Sequence, residues 1–175
     1  MKHLLILFIL VALSCDQDEN SNQPSPTALG LVTGINLRQN FDDQQYQLGN
    51  PNTLVNNKFI IYPNPATQMV VVSAQENVTD IWVVPASAEK IFQDENFSNI
   101  LSSNLYSQES ISTSSSFSIT GQSADFFTLD IGNLEKGYYK VFVKINGEIF
   151  WDNLYKYDEQ QGNEEQFNEL NDFWN

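Results

Sequence analysis

The sequence predicts an all-β protein, a single antiparallel β-sandwich of about seven strands, immunoglobulin-like, with one short helix and a disordered N-terminal tether. Three observations carry this expectation. From Leu29 onward, short apolar or alternating runs recur, separated by Gly, Pro and Asn. Their number and spacing suit a sandwich. The last two flank Asn146-Gly147, the dipeptide best suited to a two-residue hairpin turn because both positions take positive φ.

The strands are expected over 31–37, 58–62, 69–74, 80–84, 126–131, 138–145 and 148–157. In the last hairpin, alternation places Tyr139, Val141, Val143 and Ile145 on one face. Tyr138, Lys140, Phe142 and Lys144 fall on the other, a mixture expected of a half-solvated sheet. One stretch departs from the two-residue period. Phe97, Ile100, Leu101 and Leu105 stand at helical spacing after Asp94-Glu95-Asn96, which predicts a short helix followed by a Ser-rich loop over 112–116.

The first residues set the expected compartment. Lys2 and His3 precede an apolar run over 4–13 that ends in Ala12-Leu13-Ser14-Cys15. About ten apolar residues are too few to span a bilayer and suit a secretory signal. A small residue before the only cysteine resembles the lipobox of bacterial lipoproteins, which implies cleavage before Cys15, acylation of its thiol and a lipid-anchored product. Acyl chains contribute about 0.8 kcal/mol per buried CH₂, so two or three of them hold a protein durably. Residues 15–28 have no apolar periodicity and read as a tether, reaching at most about 40 Å when extended. The acids Asp16, Asp18 and Glu19 resemble the export signal that sends lipoproteins to the outer face of the outer membrane.

Cleavage there leaves about 160 residues, enough for one domain with a sizeable core, over 29–157, and an acidic tail over 158–175. The chain carries 22 acidic and 8 basic residues, a formal charge of −14, which argues against nucleic acid as a partner. His3 and Cys15 are its only histidine and cysteine, and cleavage removes the first while lipid occupies the second. Zinc or copper sites of His and Cys, Ser-His-Asp and Cys-His catalysis, and disulfides are therefore not expected. Carboxylate pairs for glycoside hydrolysis are available at Asp42 with Asp43, Asp94 with Glu95, and Glu164 with Glu165. All lie in polar stretches where solvation is the ordinary outcome. No cofactor, metal or catalytic residue is expected.

Tyr62-Pro63-Asn64-Pro65-Ala66, followed by Val70-Val71-Val72, resembles the start of the C-terminal sorting domain of type IX secretion cargo in Bacteroidota. Leu134-Glu135-Lys136-Gly137-Tyr138-Tyr139-Lys140-Val141 resembles the strand near that domain's end. The resemblance spans roughly Phe59 to Tyr157 and implies a small antiparallel sandwich of about seven strands. The chain runs on past the last strand, and 29–58 is too short for a passenger. The expected role is therefore a surface-exposed outer-membrane lipoprotein, a non-catalytic interaction module serving as accessory subunit of a transport, secretion or assembly complex. Its expected partner is an outer-membrane barrel protein or another surface lipoprotein. Two alternatives stand beside it, a glycan-binding or adhesion lipoprotein and a type IX cargo or sorting domain.

Aromatic residues are the candidate contact groups. Trp151 and Tyr155 lie on the last strand, where they could stack a sugar ring or pack on a protein. In the tail, Phe167, Leu170 and Trp174 fall at i, i+3 and i+7, one stripe of a helix. So short a helix is marginal alone, so the stripe docks either on its own sandwich or in a partner's groove.

Overall fold

The computed structural model describes residues 24–175; the leader, Cys15 and the acids Asp16, Asp18 and Glu19 lie outside the described residues. Nine strands and two helices are described: β1 (Leu31–Val32), β2 (Gly34–Leu37), β3 (Tyr46–Gly49), β4 (Phe59–Tyr62), β5 (Met69–Ala88), α1 (Gln108–Ser114), β6 (Phe117–Ile119), β7 (Ala124–Asp130), β8 (Gly137–Ile145), β9 (Glu148–Lys156) and α2 (Asn163–Trp174). The chain is an all-β sandwich. Its strand pairs are antiparallel as expected except one, since β1 runs parallel to the end of β5.

The 20-residue β5 is the spine of the sandwich. Its first half lies between β4 and β7, and its second between β6 and β8, with β9 beyond β8. The sequence reading divides this stretch into two strands, over 69–74 and 80–84, because its apolar alternation breaks. The break is a bulge. The register with β8 shifts between Val78 and Asp80, so core-facing positions pass from Val70, Val72 and Val78 to Ile81 and Val83. One extra residue turns the strand from one layer to the other without ending it. Both halves bury their inner faces in one cluster, with Phe59 and Ile61 on β4, Leu129 on β7, Val141 and Val143 on β8, and Phe150 and Leu154 on β9. Each such side chain contributes on the order of 1.5–3 kcal/mol when fully buried.

The β8–β9 hairpin follows its local code. Asn146 and Gly147 both take positive φ, 52° and 86°, and Ile145 pairs with Glu148 across the turn. Its outer face is not half-solvated, however. Lys140 and Phe142 are 0 % exposed. The excursion between β5 and β6 folds back over this face, packing Phe97, Leu101 and Ile111 against Trp82, Phe142 and Trp151. A third layer thus covers what the strand pattern alone leaves open.

Helix placement in that excursion also differs from expectation. Only Phe97–Asn99 forms a single 3₁₀ turn, while α1 begins at Gln108 and runs into the segment expected as a Ser-rich loop. There the Ser107 side chain accepts a bond from the backbone N–H of Ser110, a helix-starting cap. Phe97 and Leu101 are held by burial, which needs no regular helix. The expected strand over 31–37 divides at Thr33, whose hydroxyl donates to Asn50 O at 2.6 Å as the chain passes from β1 to β2. β2 then pairs with β3 and lies along β9.

Candidate functional site

β2 and β9 are joined chiefly by amide side chains. Asn64, 0 % exposed, donates through Nδ2 to Asn36 O at 2.6 Å and to Asn153 O at 2.7 Å, and its Oδ1 accepts from Tyr155 N at 3.1 Å. Asn153 donates in turn to Gly34 O and Asn52 Oδ1, and Asn52 donates to Leu31 O. Buried carbonyls and amides of strands that are not regularly paired are thereby satisfied. Asn64 of the Tyr62–Ala66 motif is therefore a stitch between strands. Pro63 and Pro65, both after cis peptide bonds, flank it, and Tyr62 meets the Phe41 ring edge-on at 6.1 Å. The second motif is structural as well. Leu134 packs on the core, Gly137 opens β8, and the Tyr139 hydroxyl donates to Glu135 O at 2.8 Å.

The residues expected to meet a partner are mostly consumed by the fold, and this corrects the sequence reading. Trp151 is 0 % exposed, boxed by Tyr106 and Phe142, and its Nε1 donates to Asn52 O at 2.9 Å. Tyr155 is buried against Tyr138 and Tyr157. Leu170 and Trp174 are buried in a satellite core with Val32, Ile35, Leu37 and Leu48. α2 thus docks on its own sandwich. Phe167 is the exception, 40 % exposed.

The buried stripe of α2 is Gln166, Leu170 and Trp174, one residue away from the apolar stripe read from sequence. Gln166 earns its interior place through hydrogen bonds. Its Nε2 donates to Asp158 O and Gln161 O, and its Oε1 accepts from Asp158 N at 2.7 Å. A polar side chain that closes the preceding turn escapes any search by hydropathy.

Phe167 instead helps to line a groove of about 320 Å³ between the first turn of α2 and the motif loop. Pro63, Pro65 and Tyr157 also line it, with Gln39 and Glu164 among its polar members. The floor is fixed, because Ala66 N donates to Tyr155 O at 3.0 Å and Tyr157 N donates to Ala66 O at 2.7 Å.

Three charged residues, Lys140, Asp152 and Lys156, are buried against expectation, and two of them are shifted in pKa by that burial. Lys140 Nζ has no hydrogen-bond partner and lies 5.7 Å from the Tyr106 ring centroid, and burial pushes its pKa down to about 7. Asp152 borders an 80 Å³ cavity with Asn36, Arg38 and Gln45. Burial pushes its carboxyl up to about 7, against the opposing pull of bonds from Asn36 Nδ2 and Asn153 N–H and the charge of Arg38. A charged residue within each run of aromatic or apolar strand positions was the available signal.

The carboxylate pairs are peripheral. Asp42, Asp94, Glu95, Glu164 and Glu165 are exposed, and Asp43 accepts from Asn40 in a local turn. No three His, Cys, Asp or Glu among the described residues are grouped to hold a metal ion. Comparison with protein-family models, curated proteins and solved structures finds no match to this chain.

Proposed function

We propose that the protein is a lipid-anchored, surface-exposed outer-membrane protein acting as a non-catalytic interaction module. On this reading it is an accessory subunit of a transport, secretion or assembly complex, bound to an outer-membrane barrel protein or another surface lipoprotein. The division of its aromatic residues carries the reading. Trp82, Trp151 and Trp174 are buried, as are Tyr155 and Tyr157, so Trp151 and Tyr155, the rings that the sequence offered for stacking a sugar, are withdrawn from solvent. Phe41, Phe126, Phe167 and Phe173 face outward instead, as does Tyr46. Exposed apolar rings on an acidic surface suit a protein partner better than a glycan.

The anchor rests on the Ala12–Cys15 pattern. The tail supports a module kept whole, because α2 is packed into the domain that a sorting signal would end before.

Fractionation tests the anchor. Cys15→Ser is expected to move the protein from membranes to the soluble fraction, and undiminished membrane retention would sink the lipid assignment. Replacing Asp16, Asp18 and Glu19 with Ala is expected to protect the membrane-bound protein from external protease. Affinity purification of the full chain from solubilised outer membranes tests the role itself: a stoichiometric partner is expected, and none would remove the accessory-subunit reading.

A further inference from the structure

Phe167 is the member of the predicted tail stripe that its own sandwich leaves uncovered. It shares a groove with Pro63, Pro65 and Tyr157, four rigid rings over a floor pinned to β9 by two backbone hydrogen bonds. Glu164 is the only charged side chain in the lining. The same Glu164 borders a second, open concavity along α2 with Glu165, Glu169 and Asp172. Negative charge therefore continues from the groove along the outer face of the helix.

One cation reaches this face, Lys136, which pairs with Glu169 and leaves Glu164, Glu165 and Asp172 without a lysine partner among the described residues. Lys58 pairs with Glu76 and Lys144 with Asp80 away from it. Lys140 and Lys156 are buried. Among the described lysines only Lys90 is neither buried nor paired with a carboxylate, and Arg38 donates to Phe41 O. The groove thus offers four rings, the uncharged polar Gln39, Thr67 and Asn163, and one carboxylate, in a surface whose charge repels acidic ligands.

We propose that this groove receives a basic, extended segment of the partner polypeptide. An apolar side chain or lysine stem packs on Phe167 and the partly exposed Pro63 ring, and a cation of the segment pairs with Glu164. Further cations of the segment continue along Glu165 and Asp172. The proposal rests on the interaction-module reading and gives that module its contact site and the chemistry of its partner.

The test uses the full chain in detergent with a fluorescein-labelled peptide repeating Lys-Leu-Pro, whose prolines keep it extended and unable to add as a regular strand. A Glu-Leu-Pro repeat is the control. The basic peptide is expected to bind with an affinity that falls as salt rises, and the acidic one not to bind. Phe167→Ala is expected to weaken binding about tenfold, as truncation of a central aromatic anchor does. Glu164→Gln is expected to weaken it several-fold and to flatten the salt dependence, while Phe173→Ala, at another exposed ring of α2, leaves it unchanged. All three side chains are exposed, so matching thermal melts will show the variants folded.

Wild-type affinity in both Phe167→Ala and Glu164→Gln would overturn the site, as would equal binding of the two peptides or no binding of the basic one. Purification from outer membranes separates this failure from that of the broader reading. A partner recovered equally with wild type and Phe167→Ala would overturn the groove and leave the module standing. No partner with wild type would overturn the module, whatever the peptide does.

Discussion

Trp174, next to last in the chain, sits where a side chain on Gly49 would have to be. A Cβ added to Gly49 would come 2.5 Å from Trp174 Cε3 and 2.9 Å from Thr33 O. Gly49 also has φ of +65°, a conformation that residues with a Cβ adopt at a cost. The end of β3 and the end of α2 are thus fitted to each other through an absent side chain. This is why the tail belongs to the domain.

Gly49→Ala is therefore expected to destabilise the fold by about 2–4 kcal/mol, through overpacking and backbone strain together. Urea denaturation measures it. In the double variant with Trp174→Ala the two costs should fall short of additive, because the clash has been removed. Strict additivity would mean that the helix is not seated on Gly49.

Asn64→Ala removes two donor N–H groups and one acceptor and leaves Asn36 O, Asn153 O and Tyr155 N without that partner in a buried seam. The expected loss is about 3–5 kcal/mol, since buried groups deprived of partners carry their full desolvation cost. Asn64→Asp keeps an acceptor for Tyr155 N but turns a carboxylate toward two carbonyls, and should be at least as harmful. A melting temperature within a degree or two of wild type in either variant would count against the stitch.

Lys140 predicts a stability that depends on pH. Its folded pKa of about 7 lies below the ordinary 10.5, so between these values the unfolded chain holds a proton that the folded chain lacks. Stability from this group is therefore present at high pH and lost as pH falls toward 7. Lys140→Met, which fills the same space without charge, is expected to raise stability by on the order of 2–4 kcal/mol near pH 6. The advantage should shrink as the pH approaches 10. Denaturant titrations of both proteins across this range check it; an advantage independent of pH would show that the ammonium is not the cause.

Asp152 has the opposite sign. Its carboxyl is raised from 3.8 to about 7, so the folded chain holds the extra proton between those values. Stability from this group is complete below about pH 4 and is lost as pH rises toward 7. Asp152→Asn retains an oxygen for Asn36 Nδ2 and the Asn153 N–H but carries no charge. It is expected to gain on the order of 2 kcal/mol over wild type at pH 7 and little at pH 4. Loss of stability at both pH values would mean that the second carboxylate oxygen has a role the hydrogen bonds do not account for.

What was legible in the sequence was local. The Asn146-Gly147 turn needs only two residues able to take positive φ, and the alternation on either side of it orders the faces of β8 and β9. The helical spacing of the tail likewise predicts α2, because periodicity is a property of neighbouring residues. The bulge in β5 was visible only as a broken pattern, which a period of two reads as two separate strands.

Tertiary structure decided which faces are covered. Trp151 and Lys140 alternate on their strands as expected, but their burial depends on Phe97, Leu101, Tyr106 and Ile111, which come from a distant part of the chain. Gln166 displaced Phe167 from the buried stripe through hydrogen bonds to the backbone of residues 158 and 161, a compensation that hydropathy does not register. Asn64 stands in sequence only as part of the Tyr62–Ala66 motif and becomes a fully buried stitch through partners, Asn36 and Asn153, that lie 28 and 89 residues away. Periodicity reports which side chains share a face. Whether that face meets water, another layer or a partner is settled by the packing of segments that the sequence does not place side by side.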